Sequence, residues 1–194
     1  GFFWPSAEIY GGKAGFYSYG HLGSALKKNF ENLWRGHFLQ EDNFYEIEPS
    51  SILPEQVFIA SGHIEHFNDP LVECKTCHFR FRADQFLEDN NIKVKSLNVD
   101  ELSQLISKNK LKCPKCNSWH LSSAKWFNMM FPLTLGAADA KDLAYLIPET
   151  AQLAYLAFKR EFETTRKKLP LGLAIIGKAY RNEISPRQLF FRLR

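Results

Sequence analysis

The most informative segment of this 194-residue chain reads Leu169-Pro-Leu-Gly-Leu-Ala-Ile-Ile-Gly-Lys-Ala-Tyr-Arg-Asn-Glu-Ile-Ser-Pro-Arg187. Its apolar part, Leu171 to Tyr180, predicts a β-strand, and residues Arg187 to Arg194 predict a second strand. Because a turn-forming Ile184-Ser-Pro lies between them, the two strands are expected to form an antiparallel hairpin.

Charged side chains are expected to cluster on this hairpin. Residues two apart on a strand share a face, so Arg181 lies beside Glu183, and Arg192 beside Arg194. Guanidinium groups stay charged and bind phosphate oxygens in pairs, so the hairpin could hold a nucleoside triphosphate during phosphoryl or nucleotidyl transfer. The equally weighted alternative is a set of solvent-exposed Arg–Glu pairs that contribute little to stability.

The composition is that of a folded globular protein, with 45% hydrophobic and 24% charged residues, and it excludes extensive disorder. No apolar run approaches the roughly 20 residues that span a bilayer, and the N-terminus lacks the features of a secretory signal. We therefore expect a cytoplasmic protein without a membrane partner. The net charge of +4 permits nucleic-acid binding but does not predict it. Because the chain begins without Met, we expect a processed, engineered or partial chain.

The four cysteines form two Cys-x-x-Cys pairs, Cys74 with Cys77 and Cys113 with Cys116. Two such turns supply the four thiolates of a tetrahedral Zn²⁺ site, which leaves no open position for catalysis. The spacing therefore predicts a structural zinc ion that closes a sub-domain spanning about 71–125. Two disulfides or two redox motifs are weaker alternatives, because there is neither a secretory signal nor a thioredoxin-like context.

The spacing of hydrophobic residues, and the prolines that interrupt helices and strands, predict the remaining elements. The expected elements are an amphipathic helix over about 20–39, extended chain over 43–60, a polar loop over 61–70, a short helix capped by Asp100, a strand and turn over about 126–136, and a helix over about 148–163 opened by Pro148. Glu149 then falls in the first turn of that last helix, where it could simply interact with the helix dipole.

Several segments together resemble glycyl-tRNA synthetase, a dimeric class II aminoacyl-tRNA synthetase. Residues 169–187 resemble motif 2 of that family. The other similar segments, in the family's order, are Glu8-Ile-Tyr-Gly-Gly, Tyr19-Gly-His-Leu-Gly, Ala60-Ser-Gly-His, Phe67-Asn-Asp-Pro, Arg80-Phe-Arg-Ala-Asp, Phe127-Asn-Met-Met-Phe and Pro148-Glu-Thr-Ala-Gln. The resemblance covers nearly the whole chain, and the paired cysteines fall where many members carry a zinc knuckle.

The resemblance implies an α+β fold, a class II antiparallel sheet flanked by helices, with an inserted zinc-binding sub-domain. Residues 1–70 would be the first part of the catalytic domain, and their helix would belong to motif 1, which builds the dimer interface. Residues 71–125 would be the insertion, and residues 126–194 would continue the catalytic domain through the motif 2 hairpin.

The resemblance also implies a two-step reaction, in which glycine is activated by Mg²⁺-bound ATP and then transferred to tRNA(Gly). By resemblance, Arg181 would be the catalytic residue that clamps the α-phosphate and the glycine carboxylate. The other implied site residues are Glu149 and Arg82 for glycine, and Asn182, Glu183, Phe191, Arg192 and Arg194 for ATP. A carboxylate such as Glu149 suits the glycine ammonium, because a cation in a dry pocket needs an opposite charge.

The chain departs from the family pattern where Ile147 replaces an Arg and Leu153 replaces a Gly around the Glu149 motif. It also ends before motif 3 and the anticodon-binding domain, so a second polypeptide or the remainder of the chain is expected to carry them, and the assembled enzyme is expected to be a homodimer. The alternatives are a non-catalytic paralogue or accessory subunit that binds RNA or a partner protein, and a zinc-ribbon RNA-binding module.

Overall fold

The computed structural model describes residues 1–40, 42–136, 142–166 and 168–184, and they form a mixture of helices and short strands. They divide into two compact units. Of the described residues, those within Gly1–Ser61 and Met130–Arg181 form unit 1, and Gly62–Met129 and residues 182–184 form unit 2. Among the described residues, none of the helices combines the length and apolar character needed to cross a bilayer.

The described residues of unit 1 form three small sheets, three α-helices and a short 3-10 helix at Glu8–Tyr10. Its strands are β1 (Phe3–Pro5), β2 (Tyr17–Tyr19), β3 (Phe44–Glu46), β4 (Ile52–Pro54), β8 (Pro132–Thr134), β9 (Leu143–Leu146) and β10 (Gly172–Ala174). Its helices are α1 (His21–Phe38), α2 (Glu55–Ala60) and α6 (Ala151–Thr164). Strand β1 pairs with β2, and β9 lies between β4 and β8, all antiparallel, whereas β10 pairs with β3 in parallel.

Unit 2 is built around one antiparallel sheet in the order β6–β5–β7. Its strands are β5 (Asn68–Glu73), β6 (Arg80–Arg82) and β7 (Lys125–Asn128), and its helices are α3 (His63–His66), α4 (Ala83–Asp89) and α5 (Val99–Lys108). The core buries eight residues from the sheet, α4, α5 and the segment before β7: Val72, Phe81, Ala83, Phe86, Leu87, Leu102, Ile106 and Ala124. The predicted segment 71–125 lies within this unit.

The amphipathic pattern predicts two helices well. The helix expected over about 20–39 is confirmed as α1, and the short helix after residue 98 is confirmed as α5 with Leu102 and Ile106 buried. The expected cap of α5 is wrong by two residues, because the Asn98 side chain, rather than Asp100, accepts the N–H groups of Asp100 and Glu101.

Four segment predictions are wrong in extent. Residues 55–60, expected to be extended, form α2, and the expected loop 61–70 contains α3 and the start of β5. The helix expected from Pro148 begins at Ala151, so Glu149 precedes the helix instead of occupying its first turn. The long strand expected over 171–180 is limited to β10, since residues 177–179 are exposed and do not pair in a sheet. The second hairpin strand, 187–194, lies outside the described residues.

Candidate functional site

The four cysteines lie on two turns that have the same backbone hydrogen bond and a left-handed residue at the same position. In each turn, the N–H of the first cysteine donates to the carbonyl five residues later: Cys74 to Phe79, and Cys113 to Ser118, both at 2.9 Å. The residues four positions on, His78 and Asn117, adopt left-handed backbone with φ of 55° and 59°. This conformation reverses the chain tightly, so that both thiols of a turn face the other pair.

The four thiols, on Cys74, Cys77, Cys113 and Cys116, lie within 4.8 Å of one another and form no disulfide. The Cys74 and Cys116 Sγ atoms are 3.6 Å apart, and the Cys77 and Cys113 Sγ atoms are 3.7 Å apart. A tetrahedral zinc site with Zn–S bonds of about 2.3 Å has sulfur–sulfur edges of about 3.8 Å. The donor set and its spacing therefore fit a tetrahedral metal ion of the zinc type.

The pKa shifts of the thiols explain why a cation suits this cluster. Burial raises the pKa of Cys74, but the N–H groups of Cys77 and Thr76 and the neighbouring thiols outweigh burial and lower it to about 6. At Cys116 the Ser118 N–H lowers the pKa, but burial and the other three thiols raise it to about 12. One thiolate is stabilised at the expense of its neighbours, so four thiolates together require a positive ion at the centre.

Arg82, at the end of β6, is held by carboxylates of its own unit. Its Nε and Nη2 donate to the two oxygens of Asp84 at 3.1 and 2.6 Å, and its Nη1 donates to Asp69 at 3.0 Å. The Asp84 hydrogen bonds raise the pKa of Arg82, burial opposes them, and Asp69 and Glu183 add to the increase. The guanidinium is thus fixed in orientation and partly compensated in charge, with three of its five N–H groups engaged.

Arg181 and the backbone before Glu149 lie together in unit 1. The Arg181 Nε donates to the Pro148 carbonyl at 3.1 Å, and the preceding N–H of Tyr180 donates to the Ile147 carbonyl at 2.8 Å. Pro148 and Ile147 are buried, so the backbone that Arg181 contacts is held in place by the packing around it. The segment that was expected to be a hairpin strand therefore runs beside the Glu149 motif, and it places Arg181 against the carbonyl of the residue that precedes Glu149.

The remaining predicted ATP residues divide into two groups. The backbone N–H of Asn182 donates to the Met129 carbonyl at 2.7 Å, and the negative charge of Glu183 helps to raise the pKa of Arg82. These two residues therefore belong to unit 2. Phe191, Arg192 and Arg194 lie outside the described residues.

Sequence reasoning missed the residues that hold the arginines. Asp69 and Asp84 lie within the quoted segments Phe67-Asn-Asp-Pro and Arg80-Phe-Arg-Ala-Asp, but neither was expected to have a role. The position of Asp84, two residues after Arg82, is a sequence signal that could have identified it, whereas the burial of Asp69 on β5 is known only from the structure. The role of the Pro148 carbonyl as the acceptor for Arg181 could not be predicted from the residue type, because every residue has a backbone carbonyl.

Comparison with known proteins identifies relatives over the full length of the chain, although no family model matches it. The chain is 49% identical to the glycine–tRNA ligase of Methanococcus maripaludis (strain C5), 52% to that of Pyrococcus horikoshii and 51% to that of Pyrococcus furiosus. Each alignment covers 100% of this chain and 34% of the relative. The chain is therefore homologous, from its first residue to its last, to about a third of a glycine–tRNA ligase.

Proposed function

We propose that this chain is the glycine-activating part of a glycyl-tRNA synthetase. The observation that carries the proposal is the identity of about half of all residues, along the entire chain, to proteins named glycine–tRNA ligase. In the proposed reaction the glycine carboxylate attacks the α-phosphate of ATP and releases pyrophosphate, and the glycyl group then passes to the 3′ end of tRNA(Gly). The remaining two thirds of the relatives' length would come from further sequence or from a second polypeptide, with motif 3 and an anticodon-binding domain.

Arg181 and Glu149 carry the central roles in this proposal. The Arg181 guanidinium would bind the α-phosphate and the glycine carboxylate, and its Nε bond to the Pro148 carbonyl would keep it oriented before substrate arrives. Glu149 directly follows that carbonyl and would receive the glycine ammonium. Positioning and neutralisation of charge are the main contributions that such a site makes.

Arg82 and Glu183 form a separate group in unit 2. Arg82 would contact glycine, and the support from Asp69 and Asp84 would fix the direction of its remaining N–H groups. Asn182 and Glu183 would bind the adenine side of ATP, together with the stacking ring of Phe191 and the triphosphate contacts of Arg192 and Arg194. Mg²⁺ would accompany ATP.

The four cysteines would hold a structural Zn²⁺ ion that stabilises unit 2 and takes no part in the chemistry. We place the assembled enzyme in the cytoplasm as a homodimer. The dimer proposal is supported by α1, on which Leu22, Leu26, Phe30 and Leu33 recur at helical spacing and are each at least 45% exposed. A second copy could cover this stripe.

Calorimetric titration with Mg-ATP tests the proposal in the protein completed by its remaining two thirds. A synthetase binds ATP more tightly when glycine is present, and Arg181→Ala or Glu149→Gln should remove this coupling. The matched controls are Arg160→Ala and Glu163→Gln, which make the same charge changes at exposed positions of α6. Absence of ATP binding, with or without glycine, would rule out the catalytic proposal.

A non-catalytic, synthetase-like accessory subunit is the second candidate. It is favoured by Ile147 and Leu153, which replace the family's Arg and Gly and are 2% and 3% exposed. These apolar side chains fill the core beside Glu149, where an arginine would have been able to reach the site. The same titration separates the two candidates, because only the enzyme predicts coupling between ATP and glycine.

A further inference from the structure

A cleft with a volume of about 350 Å³ lies in unit 2, between the end of α5 and the segment that follows the second cysteine pair. Its lining shares no residue with the cysteine cluster or with the Arg82 group. Ile106 and Leu121 contribute apolar surface, Ser107 and Ser123 contribute hydroxyl groups, and Trp119 contributes an indole ring. This volume is at the lower end of the range of about 300–1,000 Å³ found for small-ligand sites.

Trp119 is one of three exposed large hydrophobic side chains in the described part of unit 2, together with Leu97 and Trp126. Unit 2 exposes few large hydrophobic side chains, yet Trp119 is 56% exposed. The Lys112 ammonium lies over its ring, 4.4 Å from the ring centroid, and Lys112 is not part of the cleft lining. Trp119 itself lines the cleft, so a flat aromatic group in the cleft could stack on ring surface that the ammonium does not cover.

The charge at this cleft is positive. Lys110 lines it, Lys112 stands beside it, and no carboxylate is among its lining residues in the described part of the chain. A neighbouring cleft in the same unit, lined by Lys93, Lys95 and Lys108, contains the carboxylate of Glu101 and no aromatic ring. The Trp119 cleft thus combines an aromatic ring and hydroxyl groups with cations that no lining carboxylate compensates, whereas the neighbouring cleft has cations and a hydroxyl group but also a carboxylate, and no ring.

We propose that the Trp119 cleft binds an unpaired nucleotide of an RNA strand. The base would stack on Trp119, as bases stack on exposed aromatic rings in single-strand binding proteins, and Lys110 and Lys112 would meet the flanking phosphates. Ser107 and Ser123 offer hydroxyl groups for hydrogen bonds to the base edge or to the 2′-hydroxyl that distinguishes RNA from DNA. This site goes beyond the proposed glycine activation and does not depend on it.

Fluorescence anisotropy with labelled oligoadenylate and oligouridylate RNA tests the proposal on the zinc-loaded chain. Trp119→Ala should weaken binding about tenfold or more, and Trp119→Phe, which keeps a ring, should weaken it less. Lys110→Ala with Lys112→Ala should reduce the slope of log affinity against log salt by about 0.7 for each phosphate that the protein no longer neutralises. Lys93→Ala with Lys95→Ala removes the same charge at the neighbouring cleft and should leave the affinity within about twofold. Zinc content and the thermal unfolding midpoint confirm that each variant is folded.

Competitors separate the possible ligands. Single-stranded RNA should compete better than an RNA duplex, a DNA strand of the same sequence or free AMP. Equal weakening by the two lysine pairs, no effect of Trp119→Ala in a folded variant, or equal competition by polyglutamate would each show non-specific attraction to polyanions and overturn the proposal. None of these results affects the ATP and glycine titration, so the two proposals fail separately.

Discussion

Units 1 and 2 differ in how completely they bury their hydrophobic side chains. In unit 2, the sheet β6–β5–β7 and helices α4 and α5 enclose a continuous core, and the four thiols meet at one end of the sheet. In unit 1 the strands are three or four residues long, and α1 and α6 keep apolar faces exposed, with Phe30 67% and Tyr155 80% exposed. Among the described residues, all but three of the exposed large hydrophobic side chains lie in unit 1, the exceptions being Leu97, Trp119 and Trp126.

Unit 2 therefore buries most of its large hydrophobic side chains within itself, whereas the described part of unit 1 leaves many of them exposed. Large contiguous apolar surfaces on soluble proteins mark interaction sites. The chain spans 34% of the length of its relatives, and we propose that the remaining sequence and a second copy cover the α1 and α6 faces of unit 1. Unit 2 would then depend on its metal and its core, and unit 1 on its neighbours. The following predictions test that contrast.

Removal of the metal should have the largest effect and should act on unit 2. Structural zinc contributes an apparent 10–16 kcal/mol, roughly, in small zinc-binding peptides. Chelation, or Cys113→Ser, should therefore abolish the hydrogen-exchange protection of β5 and α5 while leaving that of α1 unchanged. Thr76→Ala, a neighbouring change that removes no thiol, is the control. Persistent protection of α5 after complete removal of metal would contradict the prediction.

Two matched Leu→Ala changes compare the helices directly. Leu102 on α5 is fully buried, so its truncation should destabilise unit 2 by about 2–5 kcal/mol. Leu33 on α1 is 71% exposed, so its truncation should change the stability of the isolated chain by less than about 0.5 kcal/mol. Urea unfolding measures both values. In the complete protein, Leu33→Ala should instead weaken self-association, as measured by analytical ultracentrifugation, and equal costs in the isolated chain would remove the distinction between the units.

The start of α5 provides a smaller test. Asn98→Ala should cost about 1 kcal/mol, because the Asn98 side chain accepts two N–H groups that would otherwise lack a partner. Asp100→Ala keeps both hydrogen bonds and removes only a dipole interaction of about 0.3–1 kcal/mol. Urea unfolding should rank Asn98→Ala as the more damaging change. The reverse order would restore Asp100 as the cap.

The Arg82 group predicts a modest dependence on pH. Burial is the largest single influence on Asp84 and raises its pKa. The Arg82 hydrogen bonds, the backbone N–H groups of Gln85 and Asp84 and the positive charge of Arg82 together outweigh burial and hold the pKa below its ordinary value of 3.8. A carboxyl group of this kind stabilises the fold above its ordinary pKa, and the contribution is lost as the pH falls through the lower, folded pKa. This contribution of Asp84 should therefore be lost in urea titrations as the pH falls from about 5 to below its ordinary pKa of 3.8. Asp84→Asn should flatten that decline, and an unchanged slope would show that Asp84 contributes nothing to it.

The sequence predicts the elements whose signal is local. The apolar spacing of α1 and α5 and the paired turns of the cysteines depend on neighbouring residues, and the structure reproduces all three. The four cysteines were recognisable because only their residue type and spacing mattered.

Contacts between residues far apart in the chain could not be predicted from the sequence. The apolar run after Leu171 looked like a hairpin strand, but β10 pairs in parallel with β3, more than 120 residues away in sequence. The Asn98 cap was missed because Asn and Asp are both good caps and stand two residues apart. The support of Arg82 by Asp69 depends on the register of β5 against β6, which no local pattern specifies.

Glycine-dependent exchange of pyrophosphate into ATP tests the central claim most directly. The chain, completed by the remaining two thirds of the relatives' length, should catalyse the exchange with glycine and not with alanine or serine. Arg181→Ala should lower the rate about 10²–10³-fold, as removal of one preorganised charge-stabilising group does in other enzymes, while Arg160→Ala leaves it unchanged. Failure of the completed, folded protein to exchange pyrophosphate with any amino acid would contradict the account.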